Sequence, residues 1–160
     1  MREAAARAVD PDVDLRVPRQ RRELRGAPWP VLAAISAGGV IGALARYGLS
    51  TAFPHAPGAF AWATLAINVT GCLLIGILMV LITETWEVHR LVRPFLGVGI
   101  LGGFTTFSTY IVDIQGSLTA HQPRIALAYL AGTVVTALPA VYAGAEITRL
   151  LTRPRRKDRS

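Results

Sequence analysis

The chain has 160 residues, is 52% hydrophobic and carries a formal net charge of +7, with a mean hydropathy of +0.42. So apolar a balance points away from a soluble domain and towards a membrane protein. The single cysteine, Cys72, excludes a disulfide framework and a cysteine metal cluster, and the basic residues flank apolar segments, where they set orientation and touch anionic lipid rather than nucleic acid.

Residues 1–28 mix Arg2, Arg7, Arg16, Arg19, Arg21, Arg22 and Arg25 with Glu3, Asp10, Asp12, Asp14 and Glu23. Few large apolar residues lie among them, which predicts a disordered basic tail. No apolar core of signal-peptide length lies within it. A first span is predicted over about residues 29–52. Gly38 and Gly42 stand four apart in it, a small-residue face for close helix contact. Arg46 is the only charge in this span. It reads either as an interfacial residue snorkelling to the headgroups or as a group that fixes a helix end or draws an anion towards a vestibule. Phe53–Gly58 is a tight loop, and His55 reads as an ordinary loop residue.

A second span is predicted over 60–82, with Trp62 as an interfacial anchor. Asn68 lies near its centre. Such an amide either hydrogen-bonds a neighbouring helix or points into a polar pathway. The loop Thr83–Arg90 carries mixed charge, and His89 has no partner at metal-ligand spacing.

The third span, 91–115, contains the most informative stretch, Gly97–Tyr110, in which glycines and hydroxyl side chains interrupt an apolar run. Glycine costs a helix interior roughly 1 kcal/mol relative to alanine. The pattern predicts a broken helix, with one half to about Leu101, a short unwound link, and a second half from about Thr106. Non-helical backbone at membrane depth survives only when covered by protein or lining a wet cavity. There its free carbonyls and N–H groups make ion sites. A glycine-rich packing face is the competing reading. Asp113 is placed near the far end of the span, at the interface.

A fourth span is predicted over 125–151, with Tyr129, Thr133 and Ala137 on one face, Pro139 as a kink point, and Glu146 paired with Arg149. Residues 152–160 form a basic tail. The fold class is an all-α membrane protein of four transmembrane helices, the third broken. Four thin helices scarcely enclose a polar pathway, so at least a dimer is expected. The absence of a Cys/His/Asp/Glu cluster or nucleophile–base pair argues against an enzyme.

Gly38-Gly39-x-x-Gly42-Ala43-x-x-Arg46-Tyr47, then Asn68-x-x-Gly71, then Gly99-x-x-Gly102-Gly103-x-Thr105-Thr106-Phe107-Ser108-Thr109-Tyr110 resemble the small fluoride channels of the Fluc/CrcB family. The resemblance covers about Ala33 to Leu150. It implies an antiparallel, dual-topology-type dimer with a structural sodium ion at its centre and passive export of fluoride from the cytoplasm across the plasma membrane. The sodium ligands implied are the backbone carbonyls of Gly102 and Thr105. Phe107 matches the first pore phenylalanine, whose positive ring edge can face a small anion. Asn68 would donate its amide N–H groups to fluoride, and Ser108, Thr109, Tyr129 and Thr133 would supply hydroxyls along the path. Tyr110 departs from the family, which usually has a second phenylalanine there. Ala137 also lacks a hydroxyl that some relatives carry.

A small multidrug exporter also has four spans, but it needs a carboxylate in the first span, and this one has none. A non-conducting or half-conducting partner subunit is the other alternative. Lysine and arginine are strongly biased to the tails and second loop, whereas the first loop has none and the third turn region only Arg124. The positive-inside rule then puts both termini in the cytoplasm. One-way insertion favours a heterodimer with a paralogue of opposite orientation, the homodimer being the alternative.

Overall fold

An apolar segment in lipid has to satisfy its own backbone, which leaves the helix as the default. The computed structural model describes residues 28–85 and 89–152. Apart from Pro28 and Thr152, the predicted tails lie outside the described residues, as do Trp86, Glu87 and Val88 of the second loop. Among the described residues every regular element is helical: α1 (Pro28–Ala52), α2 (Trp62–Val80) with a π-type final turn over Leu81–Thr85, α3 (Pro94–Leu101, π-type), α4 (Gly102–Phe104), α5 (Ser108–Thr119) and α6 (Pro123–Thr152). They form four segments long and apolar enough to cross a membrane, Trp29–Ala52, Trp62–Thr85, Pro94–Thr119 and Pro123–Thr152. Pro94 and Pro123 sit at helix starts, where the missing N–H has no partner to lose. α6 runs on through Pro139.

Chain neighbours are not the main packing partners. α1 lies against α3 and α4, α2 against α6, and α5 against α6, while α1 and α2 touch only slightly. Glycine seams explain the pairing. A Cβ at Gly99 would stand 2.9 Å from the Gly38 Cα and 2.9 Å from the Ile35 carbonyl oxygen, and one at Gly103 would stand 3.1 Å from the Gly39 Cα. On the other pair, Gly76 meets the Val141 carbonyl and Gly144 the Leu73 carbonyl. Backbones this close gain dispersion contact along their length, which drives association where water is absent.

The seams relocate the expected link. Gly102 is helical (φ −66°, ψ −37°), and the helix continues to Phe104. The chain turns extended at Thr105 (φ −72°, ψ 157°), and α5 starts at Ser108. The non-helical residues are therefore Thr105–Phe107 rather than those after Leu101. Gly99 and Gly103 are held against α1 as helix.

Candidate functional site

The geometry at Thr105–Phe107 follows from where its backbone hydrogen bonds go. The Thr106 N–H leaves the helix and donates to Asn68 Oδ1 at 2.8 Å, and Asn68 Nδ2 donates to the Thr106 carbonyl at 2.9 Å. One amide side chain on α2 thus satisfies both polar groups of one peptide unit, at a position where Asn68 is 9% exposed. Thr106 then caps the next helix: its Oγ1 accepts from the Thr109 N–H at 3.1 Å and donates to Thr109 Oγ1 at 3.0 Å. Ser108 Oγ lies 3.3 Å from the same Oγ1. On the other side, Arg46 Nε donates to the Gly103 carbonyl at 3.1 Å. Of the two sequence readings of Arg46, the structure places it at a helix end.

Three carbonyls next to the interruption receive no such donor. Among the described residues no N–H or O–H donates to the Gly102, Phe104 or Thr105 carbonyl. Unpaired carbonyl dipoles at a helix end suit a hard cation with oxygen ligands. Gly102 also leaves its side open, the nearest obstacle to an added Cβ being 3.9 Å away.

An open-sided groove of about 450 Å³ lies over the interruption. Asn68, Gly102, Thr105, Phe107, Tyr110 and Thr133, all predicted site residues, line it, together with Thr106, Cys72 and Ala137. Ser108, Thr109, Tyr129 and Arg46, also predicted site residues, do not line it. Phe107, one of the lining residues, is 76% exposed. Tyr110 is buried, and its phenol donates to the Leu130 carbonyl of α6 at 2.9 Å. The extra oxygen at this position therefore ties α5 to α6. Ring contacts continue away from the groove, with centroids 5.9 Å apart for Phe107–Tyr110, 5.2 Å for Tyr110–Tyr129 and 5.2 Å for Tyr129–Phe60. Thr133 donates to the Tyr129 carbonyl at 2.8 Å.

Asp113, expected near the far end of its span, turns its side chain into the protein. Its side chain is 10% exposed, and its Oδ2 accepts from Thr64 at 2.8 Å and from the Tyr129 phenol at 3.3 Å. His55, expected to be an ordinary loop residue, reaches Asp113 Oδ1 with Nε2 at 3.4 Å. At the opposite end Arg149 pairs with Glu146, as expected, and also with Glu84, each at 2.9 Å. No group of three His, Cys, Asp or Glu gathers among the described residues. Sequence reasoning passed over Thr106 and Asp113. Thr106 had a signal, a threonine three residues before a helical N–H, the usual N-cap spacing. The His55–Asp113 contact had none.

Residues 33–145 match the family model described as CrcB-like protein, Camphor Resistance (CrcB). The chain is 56% identical over 122 residues to the Fluoride-specific ion channel FluC 2 of Nocardia farcinica, covering 76% of this chain and 87% of the relative. It is 51% identical over 125 residues to the FluC 2 of Streptomyces avermitilis, covering 78% and 79%. The FluC 3 of that same organism is 42% identical over 120 residues, covering 75% and 59%.

Proposed function

The chain belongs to the CrcB-like family, and from that membership we propose that it is a subunit of a fluoride-conducting membrane channel, not an enzyme. The observation that carries the proposal is the family match over residues 33–145, which contains every residue lining the groove. The relatives named above supply the ion. Four membrane-length helices supply a multi-pass membrane protein, for which the plasma membrane is the expected location. Fluoride holds its water tightly, so a conducting path has to replace those hydrogen bonds closely without trapping the ion. Phe107 offers a ring edge to an anion, and Asn68 keeps one amide N–H beyond its bond to Thr106. The Tyr129 and Thr133 hydroxyls donate within this chain and would have to exchange partners to serve a passing ion. Ser108 Oγ rests against Thr106 Oγ1, and Thr109 Oγ1 accepts from Thr106, which leaves its own O–H to donate.

The direction proposed is passive export. Hydrogen fluoride crosses lipid uncharged and dissociates inside, and the anion needs a way out. A structural sodium ion fits the Gly102 and Thr105 carbonyls, which receive no donor among the described residues. Bound there, it would supply fixed positive charge beside an anion path. Fluoride efflux from liposomes containing the purified chain, with chloride as control, tests the proposal. Rapid fluoride loss with chloride retained is expected, and equal loss of both ions refutes it.

The second subunit is proposed to be antiparallel. The lysine and arginine bias favours a paralogue of opposite orientation and cytoplasmic termini, and two relatives of this chain coexist in Streptomyces avermitilis. A reporter fused to the C-terminus separates this from the homodimer. Labelling on one side only is expected. Equal labelling on both sides with robust flux refutes the mixed pair.

A further inference from the structure

A buried carboxylate is an awkward neighbour for an anion path, and charged groups at membrane depth persist when they are paired and used. Asp113 is such a group. Its Oδ2 is held by two neutral hydroxyls, Thr64 from α2 and Tyr129 from α6. Its Oδ1 faces His55, which is 31% exposed and comes from the loop between α1 and α2. Among the described residues His55 is the one basic group within ion-pair distance of Asp113. The cluster is continuous with the groove through the Tyr129, Tyr110 and Phe107 rings. On the channel reading given above, we propose that His55 governs conduction by neutralising Asp113, so that protonation of His55 raises fluoride passage on the side that carries its loop.

The physics is a matter of sign. A carboxylate in low dielectric repels an approaching anion over several ångströms, and a cation in contact with it cancels that field. Histidine is the side chain that gains such a charge near neutral pH. The other groups facing the pair do not compete. Tyr129 and, on its own helix, Tyr110 are phenols, which ionise far above that range, and Thr64 is neutral. Ser117 donates to the Asp113 backbone carbonyl, not to its carboxylate. His121 and Arg124, on the neighbouring turn and the start of α6, make no ion pair with Asp113. The device also suits the load: acid outside increases entry of uncharged hydrogen fluoride, and the same acid would open the exit.

Single-channel fluoride current in planar bilayers tests this, because uncharged hydrogen fluoride carries no current. With both sides at about pH 5.5 and then at about pH 8, the current should be several-fold larger in acid. His55→Gln should give the low current at both values, and His55→Arg, a fixed cation at the same exposed loop position, the high current at both. Asp113→Asn should also conduct well with no pH dependence. A parent current that is flat over this range overturns the proposal. So does a His55→Gln or an Asp113→Asn channel that keeps the parental profile. Absence of fluoride current at both pH values refutes the channel reading itself and this proposal with it.

Discussion

Replacing Asn68 by aspartate keeps size and shape and changes one donor into an acceptor. In the structure Asn68 Nδ2 gives the Thr106 carbonyl its hydrogen bond, while Oδ1 takes the Thr106 N–H. Aspartate preserves the second bond and turns the first into oxygen facing oxygen. The lost bond is worth about 1 kcal/mol, and a buried carbonyl without a donor costs about 1–3 kcal/mol more. A charge at a site only 9% exposed adds further cost, so about 3 kcal/mol is a lower figure. In a chain of this size that corresponds to a fall in melting temperature of about 6–12 °C. Thermal unfolding in detergent followed by tryptophan fluorescence, with fluoride efflux on the same preparation, measures both. Melting temperature and efflux are expected to fall together. Asn68→Leu, which orphans both Thr106 groups, should cost about 2–6 kcal/mol. If Asn68→Asp melts and conducts like the parent, the Thr106 clasp does not support the pathway. If it melts like the parent but fails to conduct, Asn68 acts on the ion alone.

Gly102 and Gly103 are adjacent but should respond oppositely to valine. A Cβ at Gly103 would fall 2.5 Å from the Gly39 carbonyl oxygen, so Gly103→Val should lower yield and melting temperature sharply. At Gly102 the nearest obstacle is 3.9 Å away, so Gly102→Val should leave the chain folded and abolish the dimer or its conduction. Normal dimerisation and flux in Gly102→Val would argue against a carbonyl-lined cation site there, read by size-exclusion chromatography and efflux. Tyr110→Phe removes the phenol bond to the Leu130 carbonyl and keeps the ring. It should cost about 1 kcal/mol of stability while retaining fluoride efflux, and loss of efflux would show that the phenol belongs to the pathway.

Hydropathy and length made the four spans legible in the sequence, because each apolar run is bounded by charge, proline or a short polar turn. The third span was harder. Gly99, Gly102 and Gly103 read as helix breakers by intrinsic propensity, yet two of them are pressed against α1 and remain helical. Tertiary contact outweighs a cost of roughly 1 kcal/mol per glycine. The interruption lies instead where Asn68 draws the Thr106 peptide away from helical bonding. That competition joins residues 38 positions apart, and no local pattern reports it. The same holds for Arg46 on the Gly103 carbonyl, 57 positions away, and for the Asp113 cluster. The residue types of the site were visible, whereas their partners depended on which helices pair.

The pairing of α1 with α3 and of α2 with α6 bears on how the chain is made. The two helices that leave the ribosome first barely touch each other. Each presents a glycine seam whose counterpart has not yet been synthesised. A nascent chain halted after its second span would therefore hold two unmatched helices side by side in lipid, and no stable hairpin. The first seam closes when the third span arrives, and the second waits for the fourth. Biogenesis is obliged to be late and interleaved, so the first half of the polypeptide depends on the translocation machinery or on surrounding lipid until its last helix is inserted.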